Sequence, residues 1–435
     1  MLATYSQRNA LQNFLAARRD PLAFFGDVVR SSGDFVRFNL LHYRYVLVND
    51  PNLIREFLIE KHDQFILTGG SVQGLSRLLG QGILTNHGDA WRRSRTHIQP
   101  LFQLKTLESY YPIMRERVQE SIERWKTEFA GGSFSISREL LALSFRILCS
   151  TLFRRLPSFE EALQFSDAIW VLQSDGMIRF TNGGDLVPWL PLPRIRRVNK
   201  AVAALERIAA NIIASGCPIP LDEVRSLLFA GTESPANTLC WSLKLLGEHP
   251  RWREALESSD LSEDNVEGFD ALSKVLCETM RLYPAGWAFE RHTCEDATLG
   301  GEPIAKGTRI FVSPYLLHRN QKFWRNPEEF DPQRFVDSAT VAPGVPRYGY
   351  LPFGAGPRAC VGGRMALAQM RITLGMLASQ APLEIVDPPS EPAVSPRGSF
   401  KLKLNRPLYA KLVCSSQTFI PRMGDHERRE AREKK

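Results

Sequence analysis

FGAGPRACVGG, Phe353 to Gly363, is the stretch on which the reading of this chain turns. It sets one cysteine, Cys360, on a glycine-rich loop that opens a helix. A thiolate suits that place, because a helix start offers unpaired N–H groups and the positive end of the macrodipole. Gly354, Gly356 and Gly362 allow close approach of backbone to a flat cofactor, and Arg358, two residues before the sulfur, is suited to a carboxylate. A thiolate metal ligand is one reading; an ordinary glycine loop around a buried structural cysteine is the other.

Working outward, composition narrows the class. With 43% hydrophobic and 23% charged residues, the 435-residue chain has the material for a large core, so the body is not disordered. Length alone permits two or three domains; a single domain is expected over 1–421, with a charged, disordered tail over 422–435, RMGDHERREAREKK. Seven cysteines, scattered and without a C-x-x-C pair, argue against a disulfide framework or a zinc module. The eight histidines form no H-E-x-x-H, and His249 and His318 read as structural or solvated residues in loops. No run of 18 apolar residues occurs, which predicts a cytoplasmic protein without a membrane anchor. The net charge of +8 is spread out and not interleaved with aromatics, so nucleic acid is not the expected partner; a basic face for an acidic redox protein is.

The pattern along the chain predicts an α-rich α+β fold. FVRFNL at 35–40 and YRYVLVND at 43–50 read as a hairpin, and 67–90 as a long irregular glycine-rich segment before a helix at Trp91. Helical spacing covers 104–155. The proline-rich LVPWLPLPRIRR, 186–197, is a candidate lid connection, and helices return after Asp222 and around ALSKVLCETMRLYP. Strands are expected between 285 and 315, with a turn at Leu299-Gly300-Gly301, followed by a meander rich in Pro and Asn. No alternating β-α-β run with G-x-G-x-x-G is present, which disfavours a Rossmann or barrel enzyme.

Four further motifs carry chemistry. Trp91 and Arg95 stand four apart on one helix face, pairing an indole donor with a guanidinium. Glu278 and Arg281 are three apart, as in many surface ion pairs. In LLFAGTESPAN, Ala230 and Gly231 form a small-residue notch followed by Glu233 and Ser234 in mid-helix, a local rule-breaking that suggests a site. Pro235 removes a helical hydrogen bond and predicts a kink there. Arg291 opens a strand-like run.

The spacing F-x-x-G-x-R-x-C-x-G at Phe353, Gly356, Arg358, Cys360 and Gly362 resembles the haem-binding loop of the cytochrome P450 family. Trp91 and Arg95 are similar to the family's W-x-x-x-R pair for a haem propionate, and Arg291 falls where P450s supply another propionate arginine. Ala230 to Ser234 resembles the distal-helix segment whose notch makes room for dioxygen and whose acid and alcohol relay protons, with Ser234 where threonine is usual. Glu278, Arg281 and Arg334 match the family's buried Glu-Arg-Arg network. All occur in family order from Trp91 to Gly362; SGCPIP, before the distal helix, is shorter than the family's usual connection. The resemblance implies haem b (heme b, iron protoporphyrin IX) between a distal helix and a Cys-bearing proximal loop, with Cys360 as the iron ligand. Glu233 and Ser234 would be catalytic, and Trp91, Arg95, Ala230, Gly231, Arg291, Phe353, Gly354, Gly356, Arg358, Cys360 and Gly362 would bind the cofactor. It further implies a monooxygenase that puts one atom of O2 into a lipophilic small molecule, with electrons from a ferredoxin or flavodoxin and its reductase. A peroxide-using or isomerising haem enzyme and a non-catalytic haem protein stand as alternatives. The expected pocket walls are 67–90, Leu228, Phe229 and Ala285 to Phe289.

Overall fold

A computed structural model describes residues 1–67, 70–175, 192–257, 269–336, 341, 344–386, 392–399 and 401–413. The proline-rich 186–191 and the tail 422–435 lie outside the described residues.

The predicted hairpin forms as Phe35–Leu40 and Tyr43–Val48, paired in register from Phe35↔Val48 to Leu40↔Tyr43. Alternation drives it, since Val36, Phe38, Tyr45 and Leu47 point into one packed face. The hairpin is the middle of a six-stranded mixed sheet whose spatial order is Ala3–Thr4, Phe35–Leu40, Tyr43–Val48, Arg309–Val312, Phe289–Thr293 and Phe65–Ile66. The 285–315 region thus forms strands as expected, with Gly300 and Gly301 in left-handed conformations at the predicted turn.

Helices build the rest. Leu104–Glu128 packs against Gly363–Gln380, and Ile136–Leu152 against Glu233–Glu248 and Phe159–Asp175, around a core that includes Trp125, Phe145, Trp241 and Trp324. Ile136–Leu152 is buried on nearly every face, which explains its almost continuous apolar run LLALSFRILCSTL. Two local expectations need correcting. The 67–90 segment is not irregular throughout: Gly70–Leu79 is helical, its apolar positions spaced for one buried face. Ser133–Ser135, inside the expected helical block, is a strand that pairs with Tyr409–Leu412, a partner more than 270 residues away that no local pattern reveals.

The site lies between the helical core and the sheet. Helix Gly88–Ile98, the distal pair Leu221–Gly231 and Glu233–Glu248, strand Phe289–Thr293 and the loop before Gly363–Gln380 converge there.

Candidate active site

Cys360 sits two residues before the cap, Gly362, of the helix Gly363–Gln380. Its loop is closed by backbone bonds: Cys360 N–H donates to Phe353 O (2.9 Å), Ala359 N–H to Gly356 O (3.0 Å) and Gly354 N–H to Leu351 O (3.2 Å). Gly354 (φ 70°) and Gly356 (φ 75°) occupy the left-handed region that glycine adopts freely. The two glycines differ in task. Gly354 lines the cavity, whereas a Cβ on Gly356 would lie 2.2 Å from the Leu58 carbonyl oxygen, so Gly356 admits the backbone of Glu56–Glu60 and not a cofactor face. Gly356 is accordingly not among the residues that line the cavity. The Cys360 side chain is exposed although it lies deep in the fold, because it faces an internal cavity of about 460 Å³. Burial pushes its thiol up, while the Gly362 N–H and the charges of Arg95 and Lys401 act the other way.

Three guanidiniums surround this cavity. Arg95, on helix Gly88–Ile98, donates to Ala359 O (2.9 Å) and so fixes the cysteine loop. Arg358 donates to Asn86 O (2.8 Å) and lies 4.6 Å from the Trp91 ring centroid. Arg291 donates to the Glu290 carbonyl (2.8 Å). Burial lowers all three, Arg291 and Arg358 to about 10, with Arg358 adding to the effect on Arg291. Among the described residues none of the three forms an ion pair. Clustered, desolvated cations without carboxylate partners are costly unless an anionic group joins them. Together with a thiol facing the same cavity, this donor set fits a haem: Cys360 would hold the iron, and Arg95, Arg291, Arg358 and Trp91 would hold the propionates.

The distal helix, which lines the same cavity as Cys360, is broken in two. Leu221–Gly231 and Glu233–Glu248 meet at Thr232, so the interruption falls three residues before Pro235. The reason is local: Pro235 has no N–H to give Gly231 O and its ring excludes that carbonyl from helical position. Hydroxyls at the break donate to carbonyls one turn back. Thr232 Oγ1 donates to Leu228 O (2.7 Å) and Ser234 Oγ to Ala230 O (3.3 Å). Ala230, Gly231 and Ser234 line the cavity as expected. Glu233 does not; its side chain is turned behind the wall, where it accepts from Asn237 Nδ2 (3.2 Å) and pairs with Lys401 Nζ (3.2 Å). Gly231 also has a packing reason, since a Cβ there would meet Leu148 Cδ1 at 3.0 Å.

Other expected walls shift by a residue or two. Leu67, Ile83, Ala285 and Phe289 line the cavity, but Ser226 and Leu227 do so in place of Leu228 and Phe229, which are buried in the helical core. Lys401, which also lines the cavity, was not legible. It lies in FKLKLN, where alternating lysine and leucine reads as a strand with its lysines in solvent; instead Lys401 and Lys403 both point inward.

Beneath the cysteine loop, Glu278 and Arg281 form a fully buried fork, Nε to Oε2 at 2.7 Å and Nη2 to Oε1 at 2.8 Å. Arg334 Nε reaches Glu278 at 3.3 Å, so the predicted triad assembles. Arg281 also donates to His318 O (2.9 Å), Pro327 O (2.6 Å) and Glu329 O (2.9 Å), and Glu278 accepts from Asp331 N–H (2.9 Å). Three carbonyls in and before the meander are thus satisfied by Arg281, and those of Arg325 and Asn326 by Arg334, in place of a ladder. Of the two roles expected for His318, structural or solvated, it has the structural one: it is fully buried, its Nδ1 facing Arg281 O (3.2 Å) and its Nε2 accepting from Leu351 N–H (2.7 Å). Burial, and then the Arg281 charge, lower it to about 3, which keeps it neutral.

The cytochrome P450 family model matches residues 9–216 and 221–400. Among curated proteins, the chain is 29% identical to cyclooctat-9-en-7-ol 5-monooxygenase of Streptomyces melanosporofaciens, over 85% of this chain and 86% of the relative. It is 27% identical to cyclooctatin synthase of the same organism, over 84% and 86%. Among solved structures, CYP175A1 from Thermus thermophilus superposes with a TM-score of 0.76 at 27% identity, covering 94% of this chain and 99% of that one. A 6-coordinated cytochrome P450 from the same species gives 0.71 at 26%, covering 90% and 98%. The cavity, with its thiol and its arginines, is the candidate haem site of a fold that these relatives share. The chain belongs to the cytochrome P450 family and is a monooxygenase of that kind, with haem as its cofactor. No helix among the described residues is long and apolar enough to cross a membrane.

Proposed function

We propose that this protein hydroxylates or epoxidises a lipophilic small molecule at the cavity above Cys360, using haem b and electrons from a separate ferredoxin or flavodoxin with its reductase. The observation that carries the reading is that Cys360, Ala230, Gly231 and Ser234 line one cavity together with Arg95, Arg291 and Arg358, three arginines without an ion-pair partner among the described residues. When bound, the haem supplies activation of O2 and insertion of one oxygen atom into the substrate.

The chain's own residues do the rest. Arg95, Arg291 and Arg358 orient the cofactor through its carboxylates. Leu67, Ile83, Leu227 and Phe289 exclude water and take an apolar substrate. Ser234 Oγ, whose proton is given to Ala230 O, keeps its lone pairs toward the cavity and serves with Glu233 in proton delivery. The similar Streptomyces enzyme is named for an alcohol, cyclooctat-9-en-7-ol. A substrate of that kind, largely hydrocarbon with one hydroxyl, suits an apolar cavity with few polar atoms. The net charge of +8 supports an acidic electron donor. We also read residues 1–421 as one domain in the cytoplasm.

The test is a ligand-shift titration of the ferric protein against lipophilic alcohols, followed by turnover with a ferredoxin system. Spectral shifts and product that depend on external electrons support the proposal. Product formed only from peroxide, or none despite binding, would refute it. Ser234→Ala should lower product per electron pair, and undiminished coupling would remove Ser234 from the relay.

A further inference from the structure

The break in the distal helix leaves two adjacent helix ends, and one side chain from elsewhere in the chain serves both. Lys401 Nζ donates to Phe229 O (3.0 Å) and Ala230 O (3.3 Å), two carbonyls in the last turn of Leu221–Gly231, and pairs with Oε2 (3.2 Å) of Glu233, the first residue of Glu233–Glu248. A cation at a helix C-terminus and an anion at a helix N-terminus are each favoured by the macrodipole, so both charges sit at the end that stabilises them. Both are also desolvated, the Glu233 side chain being 3% and the Lys401 side chain 14% exposed. A buried pair of this kind persists through mutual dependence, because removing one partner strands the other.

Position adds a second argument. Lys401 lines the cavity and Glu233 does not, so the residue that joins the acid to the cavity wall is the lysine. Lys401 is held firmly enough to act from a fixed place. It lies in the turn between strands Pro396–Gly398 and Leu402–Leu404, where Trp287 Nε1 donates to Ser399 O (2.8 Å) and Leu402 N–H to Ala285 O (2.9 Å). Ala285 lines the cavity too, so one anchored turn joins the substrate wall to the distal acid.

We propose that Lys401 is a positioning residue of the distal relay: it holds the Glu233 carboxylate behind the cavity wall and keeps the Phe229 and Ala230 carbonyls occupied, so that the acid serves the cavity only by way of Lys401. This rests on the reading of Glu233 and Ser234 as the proton-delivering pair. The charge of Lys401, set at the helix break, fixes the conformer of the acid.

The test compares holoenzymes of the wild type, Lys401→Met, Glu233→Gln, the double variant and Lys401→Arg. Lys401→Met should lower the share of electrons recovered in product at least fivefold, Glu233→Gln should do likewise, and the double variant should be no worse than either single within twofold. Lys401→Arg should regain most of the loss. In chemical denaturation, independent of turnover, the midpoint should fall in Lys401→Met and move back up when Glu233→Gln removes the stranded carboxylate. Losses that multiply in the double variant, midpoints that add, or wild-type coupling in Lys401→Met would each overturn the assignment. Failure of the wider reading looks different: Ser234→Ala and Glu233→Gln would both couple normally while the Lys401–Glu233 denaturation cycle stayed non-additive, and Lys401 would then have no relay to position.

Discussion

Replacing Arg281 by methionine isolates what the buried fork does. The guanidinium satisfies both oxygens of a fully buried Glu278 and three meander carbonyls, those of His318, Pro327 and Glu329. Methionine keeps the apolar volume and removes every donor. Stranding a buried charge costs roughly 3–5 kcal/mol, and the lower end applies because Arg334 and the Asp331 N–H remain on Glu278. Three unsatisfied carbonyls add about 1 kcal/mol each at the least. The sum, roughly 6 kcal/mol, is half or more of the stability of an ordinary domain. Urea unfolding, followed by tryptophan fluorescence and haem absorbance, should therefore show most of the stability gone and little haem retained. Adding Glu278→Gln removes the stranded charge but not the orphaned carbonyls, so the double variant should recover about half of the loss. An Arg281→Met protein within about 1 kcal/mol of wild type, or a double variant no better than the single, would refute the argument that charge and carbonyls contribute separately.

Three further outcomes are expected. Cys360→Ser should abolish the red-shifted Soret band of the reduced carbonmonoxy form, and persistence of that band would remove Cys360 as the iron ligand. Gly356→Ala places a Cβ 2.2 Å from Leu58 O at φ 75° and should cost roughly 1–2 kcal/mol in backbone strain plus about 1–3 in overpacking. Gly354→Ala, at φ 70° with nothing within 4 Å, should cost the strain alone; thermal melts that rank the two the other way would contradict the contact. For His318 the folded value, about 3, lies below the usual 6.5, so the unfolded chain takes up the proton first. Stability should be level above pH 6.5 and fall below it toward pH 3, by up to about 1.4 kcal/mol per unit from this group. His318→Gln should flatten that part of the acid limb in denaturation experiments, and an unchanged slope would mean the imidazole is protonated in the fold.

Legibility in the sequence followed how locally each feature is encoded. Trp91 with Arg95 and Glu278 with Arg281 are spaced by a single helix turn, so the face they share is fixed before any tertiary contact. The 353–363 loop is read from its glycines and cysteine together. What escaped depends on distant partners. The strand Ser133–Ser135 exists because Tyr409–Leu412 comes to pair with it, and Gly356 is glycine because of Leu58. Lys401 reads as a solvent-facing lysine until the break at Thr232 supplies carbonyls and a carboxylate for it. The wall formed by Ser226 and Leu227, not Leu228 and Phe229, turns on the rotation of one helix, which spacing alone does not set.

The approach of Gly356 to Leu58 ties the cysteine loop to a segment almost 300 residues earlier. The turns of Glu56–Glu60 are therefore a floor on which the cysteine loop rests. A distortion among the first 66 residues reaches the seat of the Cys360 thiol through packed backbone, at a glycine that does not itself line the cavity.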